Sequence, residues 1–380
     1  MKVAYIGLAL QHTLDFYREV LQGIRDFGHQ RPHWIFVPIF PEARSLQSSR
    51  AARCAGFVGH ISTLALAKAM DATGKPWVNV SSVHPHIERP RVMVDHTEVG
   101  RLAARYFLER GFREFAYVGY RNHLFSLRRE EGFRAEIEAA GARLVATFEE
   151  HGKHSDPTAL QHSSPALNRW IDSLPKPIAT FTSNDVQGFY VTEACRERGV
   201  QVPEQLAIVS VDNDDLLCNL AHPPLSSVAL PTRRIGSEAA RLLDRMIRGR
   251  SVAAEPLLLP PVGIVERASS SILAIDNAVV VRALQYIRTH AGEAMTVGDV
   301  ADAALVSRRL LERTFQTVLQ RTVAEEIRRA HLEIARRLLV DTTLSMAHVA
   351  RAAGFTDGKH FSTVFRRVEG MTPTEYRRQR

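Results

Sequence analysis

Two regimes of apolar spacing divide this chain. Over the first 265 residues, short apolar runs recur at 3–7, 34–38, 56–58, 77–80, 115–119, 178–182 and 206–211. Between them lie helical stretches such as 16–28, 63–73, 97–110 and 127–140. Unbroken runs of strand length alternating with helices predict a parallel, doubly wound α/β sheet with both faces covered. Gly28, Gly74, Gly111, Gly141 and Gly199 fall where those helices should stop.

From about residue 277 the spacing is helical throughout, and a short pattern occurs twice. Val297, Val300, Ala301, Ala304 and Val306 lead into Ser307, then Leu311 and Phe315; Met346, Val349, Ala350, Ala353 and Phe355 lead into Asp357, then Phe361 and Phe365. Small residues suit the crossing of two short helices, and apolar anchors four apart bury one stripe of the second helix. Each unit thus predicts a helix-turn-helix with its opposite stripe free for a major groove. That stripe is Arg308, Arg309, Glu312 and Arg313 in the first unit, and Gly358, Lys359, Ser362, Thr363 and Arg366 in the second. Such side chains reach phosphates and base edges. Between the units, 323–339 reads as one long helix with Ile327, Ala330, Leu332, Ile334, Ala335, Leu338 and Leu339 on a broad apolar face. A rigid spacer setting the reading helices roughly 34 Å apart would admit both to successive major grooves.

Charge changes the picture for this half. From residue 272 onward there are 17 Lys and Arg against 12 Asp and Glu, which is +5 of the chain's +8. Sixteen of those cations are arginine, whose planar fork suits phosphate and guanine. The plainer reading is a solvated helical surface.

The α/β half directs attention elsewhere. In open α/β sheets ligands bind beyond the carboxyl ends of the strands. The polar residues there are Ser81 and Ser82, Asp95 and His96, Asn184 and Asp185, and the run from Asp212 through Asn213 and Asp214 to Asp215. Short carboxylates and amides each take two hydroxyls of a polyol, and Arg129 can bridge neighbouring oxygens; Phe16 and Tyr17 can stack on a sugar face. Each has a structural alternative: helix capping for Asp95 and Asn184, pairing with Glu130 or Glu131 for Arg129, and ordinary packing for the two aromatics. Asp212 has the strongest claim to a ligand.

Several classes drop away. Cys54, Cys195 and Cys218 lie far apart and the sixteen histidines lack ligand spacing, so neither a disulfide scaffold nor a metal site is expected. No apolar run reaches the ~18 residues of a membrane span, and the chain enters a strand without a signal-peptide core, so a cytoplasmic protein is expected. There is no glycine-rich nucleotide loop, no Gly-x-Ser-x-Gly and no His-Glu-x-x-His, so neither an enzyme nor a cofactor is expected.

The tandem units, with Gly354 to Phe361 and Thr372 to Arg377 closing the second, resemble the AraC family of transcription regulators over residues 277–380. Gln320, where a turn glycine is common, and Gly358, in the first turn of the second reading helix, depart from that pattern. The front half resembles the periplasmic-binding-protein-like effector domains of the LacI/GalR family. The likeness rests on 94–103, Gly111 and Phe112 before Tyr117, 128–133, and Val202 to Glu204 before Val209 to Asp212, with 225–228 and 235–249 fitting the family's closing stretch. It implies that Arg129 grips a sugar and that Asn184, Asp185 and Asp212 are strand-end ligands. Together the resemblances imply a two-lobed effector domain at 1–267, a linker at 268–276 containing Ser269 to Ser271, and an all-α reader at 277–380. They imply a homodimeric, sugar-responsive activator, with D-xylose the expected effector and operator DNA and RNA polymerase the expected partners.

Overall fold

The computed structural model describes residues 3–11, 14–150, 164–253, 255–272, 277–319, 321–342 and 344–379. The chain divides into two compact units, one of residues 1–108 with 113–272, the other of 273–380 with 109–112. In the first, β1 (Ala4–Ala9), α1 (Asp15–His29), β2 (Trp34–Pro38), α2 (Ser49–Ala52), β3 (Cys54–Gly59), α3 (Leu64–Ala72) and β4 (Trp77–Asn79) build one lobe around a parallel sheet of order β2-β1-β3-β4.

The chain continues through β5 (Val92–Val94), α4 (His96–Leu108), β6 (Glu114–Tyr120), α5 (Leu124–Ala139), β7 (Arg143–Glu150), α6 (Pro165–Ser173), β8 (Ile178–Thr182), α7 (Asp185–Arg198), β9 (Leu206–Asp212), α8 (Asp215–Leu220), β10 (Ser226–Ala229), α9 (Thr232–Ile247), β11 (Leu257–Leu259) and β12 (Gly263–Val265). The second sheet has the order β12-β10-β9-β8-β6-β7, with only β12 antiparallel to its neighbour. Strand β5 pairs with β11 in a separate ribbon. Helix α9 returns to the first lobe, where Ile235, Ala239 and Leu243 join the core of Ile6, Val20 and Ile24.

The runs at 34–38 and 178–182 are strands with those bounds. Gly28 departs from its expected role. It lies inside α1, which runs to His29 with Gln30 as its C-cap, and a Cβ there would stand 2.3 Å from the Phe36 ring. Glycine is present to let strand β2 approach.

Two helix crossings fix the lobes. A Cβ on Gly23 would lie 1.8 Å from the Arg233 carbonyl oxygen, and one on Gly236 would lie 2.0 Å from that of Val20, so α1 and α9 touch backbone to backbone. Helices α4 and α5 meet in the same way: a Cβ on Gly100 would lie 2.0 Å from the Arg129 carbonyl oxygen and one on Gly132 would lie 1.9 Å from that of Thr97. The second crossing sets the start of α4 beside Arg129.

The serines assigned to a linker are structured. Ala268–Ser270 forms a 3-10 turn in which Ser269 and Ser270 are fully buried. The Ser269 hydroxyl donates to the Ile208 carbonyl at 2.8 Å, and Ser270 meets Ser226 at 2.8 Å. Hydroxyls answered in this way can enter a core that a spacer would not.

The second unit is helical: α10 (Ala278–Thr289), α11 (Val297–Ala303), α12 (Arg308–Leu319), α13 (Val323–Asp341), α14 (Met346–Ala352), α15 (Gly358–Glu369) and α16 (Pro373–Gln379). Leu311 and Phe315 are fully buried with Val300, Ala301 and Ala304; Phe361 and Phe365 are buried with Val349, Ala350 and Ala353. Helix α13 serves both clusters: Val323 and Ile327 enter the first, and Leu332, Ala335 and Leu339 the second. The turn between α14 and α15 places Gly354 at φ 77°, while the matching turn of the first unit holds Leu305 at φ 59° with 80% of its surface exposed. A left-handed leucine stores strain that glycine avoids. Gln320 lies outside the described residues, and Gly358 opens α15 as expected. Among the described residues no helix is long and apolar enough to cross a membrane.

Candidate ligand cleft and DNA-reading surface

The strand ends after β1, β3 and β4 face those after β6, β8 and β9 across a cleft holding about 660 Å³ of space, its open mouth included. Arg129 is its central cation. The side chain is 3% exposed, lies 5.1 Å over the Phe125 ring, and donates to the Ser183 carbonyl and, at 3.3 Å, to His96 Nδ1. Its remaining nitrogen approaches Asp212 Oδ1 at 3.6 Å. The alternative pairing along α5 is absent, because Glu130 is held by Arg134 and Glu131 by Arg128.

Asp212 ends β9 at φ 110°, and Asn213 follows at φ 52°. Two left-handed residues in succession turn the chain sharply enough to aim Asp212 into the cleft, a strained geometry of the kind that gathers at functional sites. Burial pushes its carboxyl up, Arg129 draws it down, and Asp185 and Asp214 push it up again. About a quarter of the side chain still meets solvent.

Asp185 braces the turn. Its carboxylate accepts from the Asp214 amide at 2.7 Å and from the Ser227 hydroxyl at 2.6 Å. Asp214 accepts from the amides of Leu216 and Leu217, capping α8, and at 3.2 Å from the amide of Asp15 at the start of α1. The first lobe contributes Phe16 and Tyr17, with the Tyr17 hydroxyl 3.4 Å from His60 Nε2. Burial, reinforced by His123, lowers His60 to about 4, so this ring stays neutral.

Six of the eight residues expected at the cleft line it: Phe16, Tyr17, Arg129, Asn184, Asp185 and Asp212. Asn184 also caps α7 by accepting from the Gln187 amide at 3.0 Å. The other two are elsewhere. Asp95 caps α4 through the Glu98 amide at 3.0 Å, and Asn213 accepts from Arg267 at 3.0 Å. The helix start at Asp95 and the reversal at Asn213 turn both side chains away. Ser82, His96 and Asp214, noted at the strand ends, also line the cleft, and His60 and Phe125 line it without having been expected to. The strand-end rule could have found His60, which directly follows β3.

On the helical unit, Arg308, Arg309 and Arg313 lie exposed on α12 with Glu312 half-exposed, and Lys359, Ser362, Thr363 and Arg366 lie exposed on α15. Both helices are capped as expected, by Ser307 on the Leu310 amide and by Asp357 on the amides of Lys359 and His360. Among the described residues no salt bridge joins Arg308, Arg309, Arg313 or Arg366, whereas most arginines of α1 and α5 are paired. The burial of the facing stripe leaves these cations exposed on the outer side of each helix.

A periplasmic binding protein-like domain family matches residues 104–270, and a helix-turn-helix domain family matches 300–379. The xylose operon regulatory protein of Escherichia coli strain K12 is 30% identical over 289 residues, 75% of this chain and 73% of that protein. The protein of that name from Haemophilus influenzae is 28% identical over 297 residues, 77% and 76% of the two chains. A solved structure described as a xylose-binding transcription activator superposes with a TM-score of 0.62 at 24% identity, covering 99% of this chain and 98% of that one. The chain belongs to the family of the xylose operon regulatory proteins, sugar-responsive transcription regulators in which a periplasmic-binding-protein-like domain precedes an AraC-type helix-turn-helix domain.

Proposed function

We propose that D-xylose is the effector, that it binds the cleft around Arg129 and Asp212, and that binding changes how the reader domain is presented to operator DNA. The observation carrying this is the buried Arg129 set against a partly solvated Asp212 at the carboxyl ends of the strands. A guanidinium and a carboxylate side by side offer donors and acceptors to vicinal hydroxyls. The names of the curated relatives point to the pentose.

On this reading residues 1–267 are the effector domain, 277–380 the reader, and the cleft binds without catalysing. The protein acts in the cytoplasm as a homodimer that recruits RNA polymerase. Lobe closure on the sugar biases the DNA-competent arrangement by a coupling energy of ~1–3 kcal/mol.

A thermal-shift series with D-xylose, L-arabinose, D-ribose and D-glucose tests the effector. A ligand of the folded state at a hundred times its Kd adds about 2.7 kcal/mol, so D-xylose should raise the melting temperature most. A shift with another sugar alone would reassign the effector.

Arg308, Arg309, Glu312 and Arg313 on one helix and Lys359, Ser362, Thr363 and Arg366 on the other are the proposed DNA contacts. Arg309→Ala should cost ~1–3 kcal/mol on the operator and relax base preference. Arg366→Ala should weaken operator and random DNA alike and reduce the salt slope by about 1. Equal losses on both DNAs for Arg309→Ala in a salt-titrated binding assay would remove it from base reading.

A further inference from the structure

Arg129 determines the state of a neighbour as well as its own. Its Nε–H donates to His96 Nδ1. A guanidinium has only donors, so Nδ1 must be the accepting nitrogen, and a neutral ring then carries its hydrogen on Nε2. Burial, with Arg129 and Arg91 adding to it, holds His96 well below the ordinary imidazole range, which keeps the ring neutral. The side chain is 5% exposed and lines the cleft, and among the described residues Nε2 has no hydrogen-bond partner.

A buried N–H without an acceptor is uncommon and carries a desolvation penalty that a ligand oxygen would remove. The position is also rigid. His96 is the first residue of α4, the helix clamped to α5 at Gly100 and Gly132.

We propose that His96 is a specificity-determining residue of the sugar site, its Nε2–H donating to one oxygen of the bound sugar beside the hydroxyls taken by Arg129 and Asp212. This rests on reading the cleft as the sugar site. A neutral donor at a fixed point reads the presence of an oxygen, so the ring rejects the sugar that lacks it. Sites built to hydrogen-bond a hydroxyl discriminate against deoxy analogues because the site's own group is left unpaired.

The test uses the full chain and calorimetric titration with D-xylose and its 2-, 3- and 4-deoxy derivatives. Two substitutions separate the ring's two nitrogens. His96→Asn keeps an acceptor near Nδ1 and removes the donor at Nε2; His96→Gln places an amide N–H near Nε2. Wild type should lose roughly tenfold to a hundredfold on one deoxy sugar in particular. His96→Asn should lose a similar factor on D-xylose and cease to distinguish that deoxy sugar, while His96→Gln should recover part of the affinity.

A role limited to orienting Arg129 gives the opposite order, with His96→Asn tolerated and His96→Gln impaired, and that order would overturn the proposal. So would a wild type that loses equally on every deoxy sugar, a result independent of how either variant folds. If wild type binds D-xylose and His96→Asn matches it throughout, the His96 assignment alone fails. If wild type binds none of these sugars, the reading of the cleft fails with it.

Discussion

Replacing Arg129 with methionine is expected to abolish the response to sugar and to destabilise the first unit by about 3 kcal/mol. Removing one member of a buried ion pair costs about 3–5 kcal/mol, because the other charge is left without compensation. The lower end applies because about a quarter of Asp212 meets water. The loss extends past the pair: the Ser183 carbonyl and His96 Nδ1 would each forfeit a donor. Adding Asp212→Asn to Arg129→Met should restore part of the stability and none of the binding. A double-mutant cycle by denaturant unfolding, with titration of D-xylose, measures both. Retained sugar affinity in Arg129→Met would remove this residue from the site.

Phe361→Ala should act on the other unit and on the other activity. Phe361 is fully buried, with Phe355 at 5.1 Å and Phe365 at 5.5 Å, and Phe365 packs in turn on Tyr376 at 5.2 Å. Truncating such a ring costs ~3–5 kcal/mol, a large share of the stability of a helical module of this size. Operator binding should be lost while D-xylose still raises the transition of the first unit. The readouts are calorimetry with and without sugar and a DNA-binding assay on the same preparation. Operator affinity unchanged in Phe361→Ala would mean that the second reading helix is dispensable.

How much of this was legible in the sequence depended on what each element buries. Strand β8 was readable to its ends because all five residues are buried and its sequence is an apolar run. Strand β10 was not, since Ser-Ser-Val-Ala contains no apolar run. Its serines are buried because Arg267, Asp185 and Ser269 supply their partners, and those partners lie 41 to 43 residues away in sequence. Strand β7 carries polar residues at both ends, and β11 exposes two of its three leucines, so neither gave the expected contrast. The helix-turn-helix units were plain because their spacing is local and repeated.

At the cleft, the strand-end rule pointed to His96, Asn184, Asp185, Asp212 and Asp214 in the second lobe and to Ser82 in the first, whereas Phe125 and Arg129 lie on α5 and Phe16 and Tyr17 on α1. Val80 and Leu14 are indistinguishable from core residues until the lobes face each other. Asp95 and His96 are neighbours with opposite fates, and the choice is made by the direction of the first turn of α4, a property the residue types alone do not carry.

Helix α13 has a consequence for the operator. Because one end is built into the first helix-turn-helix core and the other into the second, the two reading helices share a single rotational phase, set by the number of residues between Ile327 and Leu332. One residue more would turn the second reader by about 100° and advance it by about 1.5 Å, facing it away from the groove it would otherwise enter. If both helices read DNA as proposed, operator binding would depend on the spacing between two short sequences as well as on the sequences themselves, and an operator with both intact but one base pair inserted between them would present the right letters at the wrong angle.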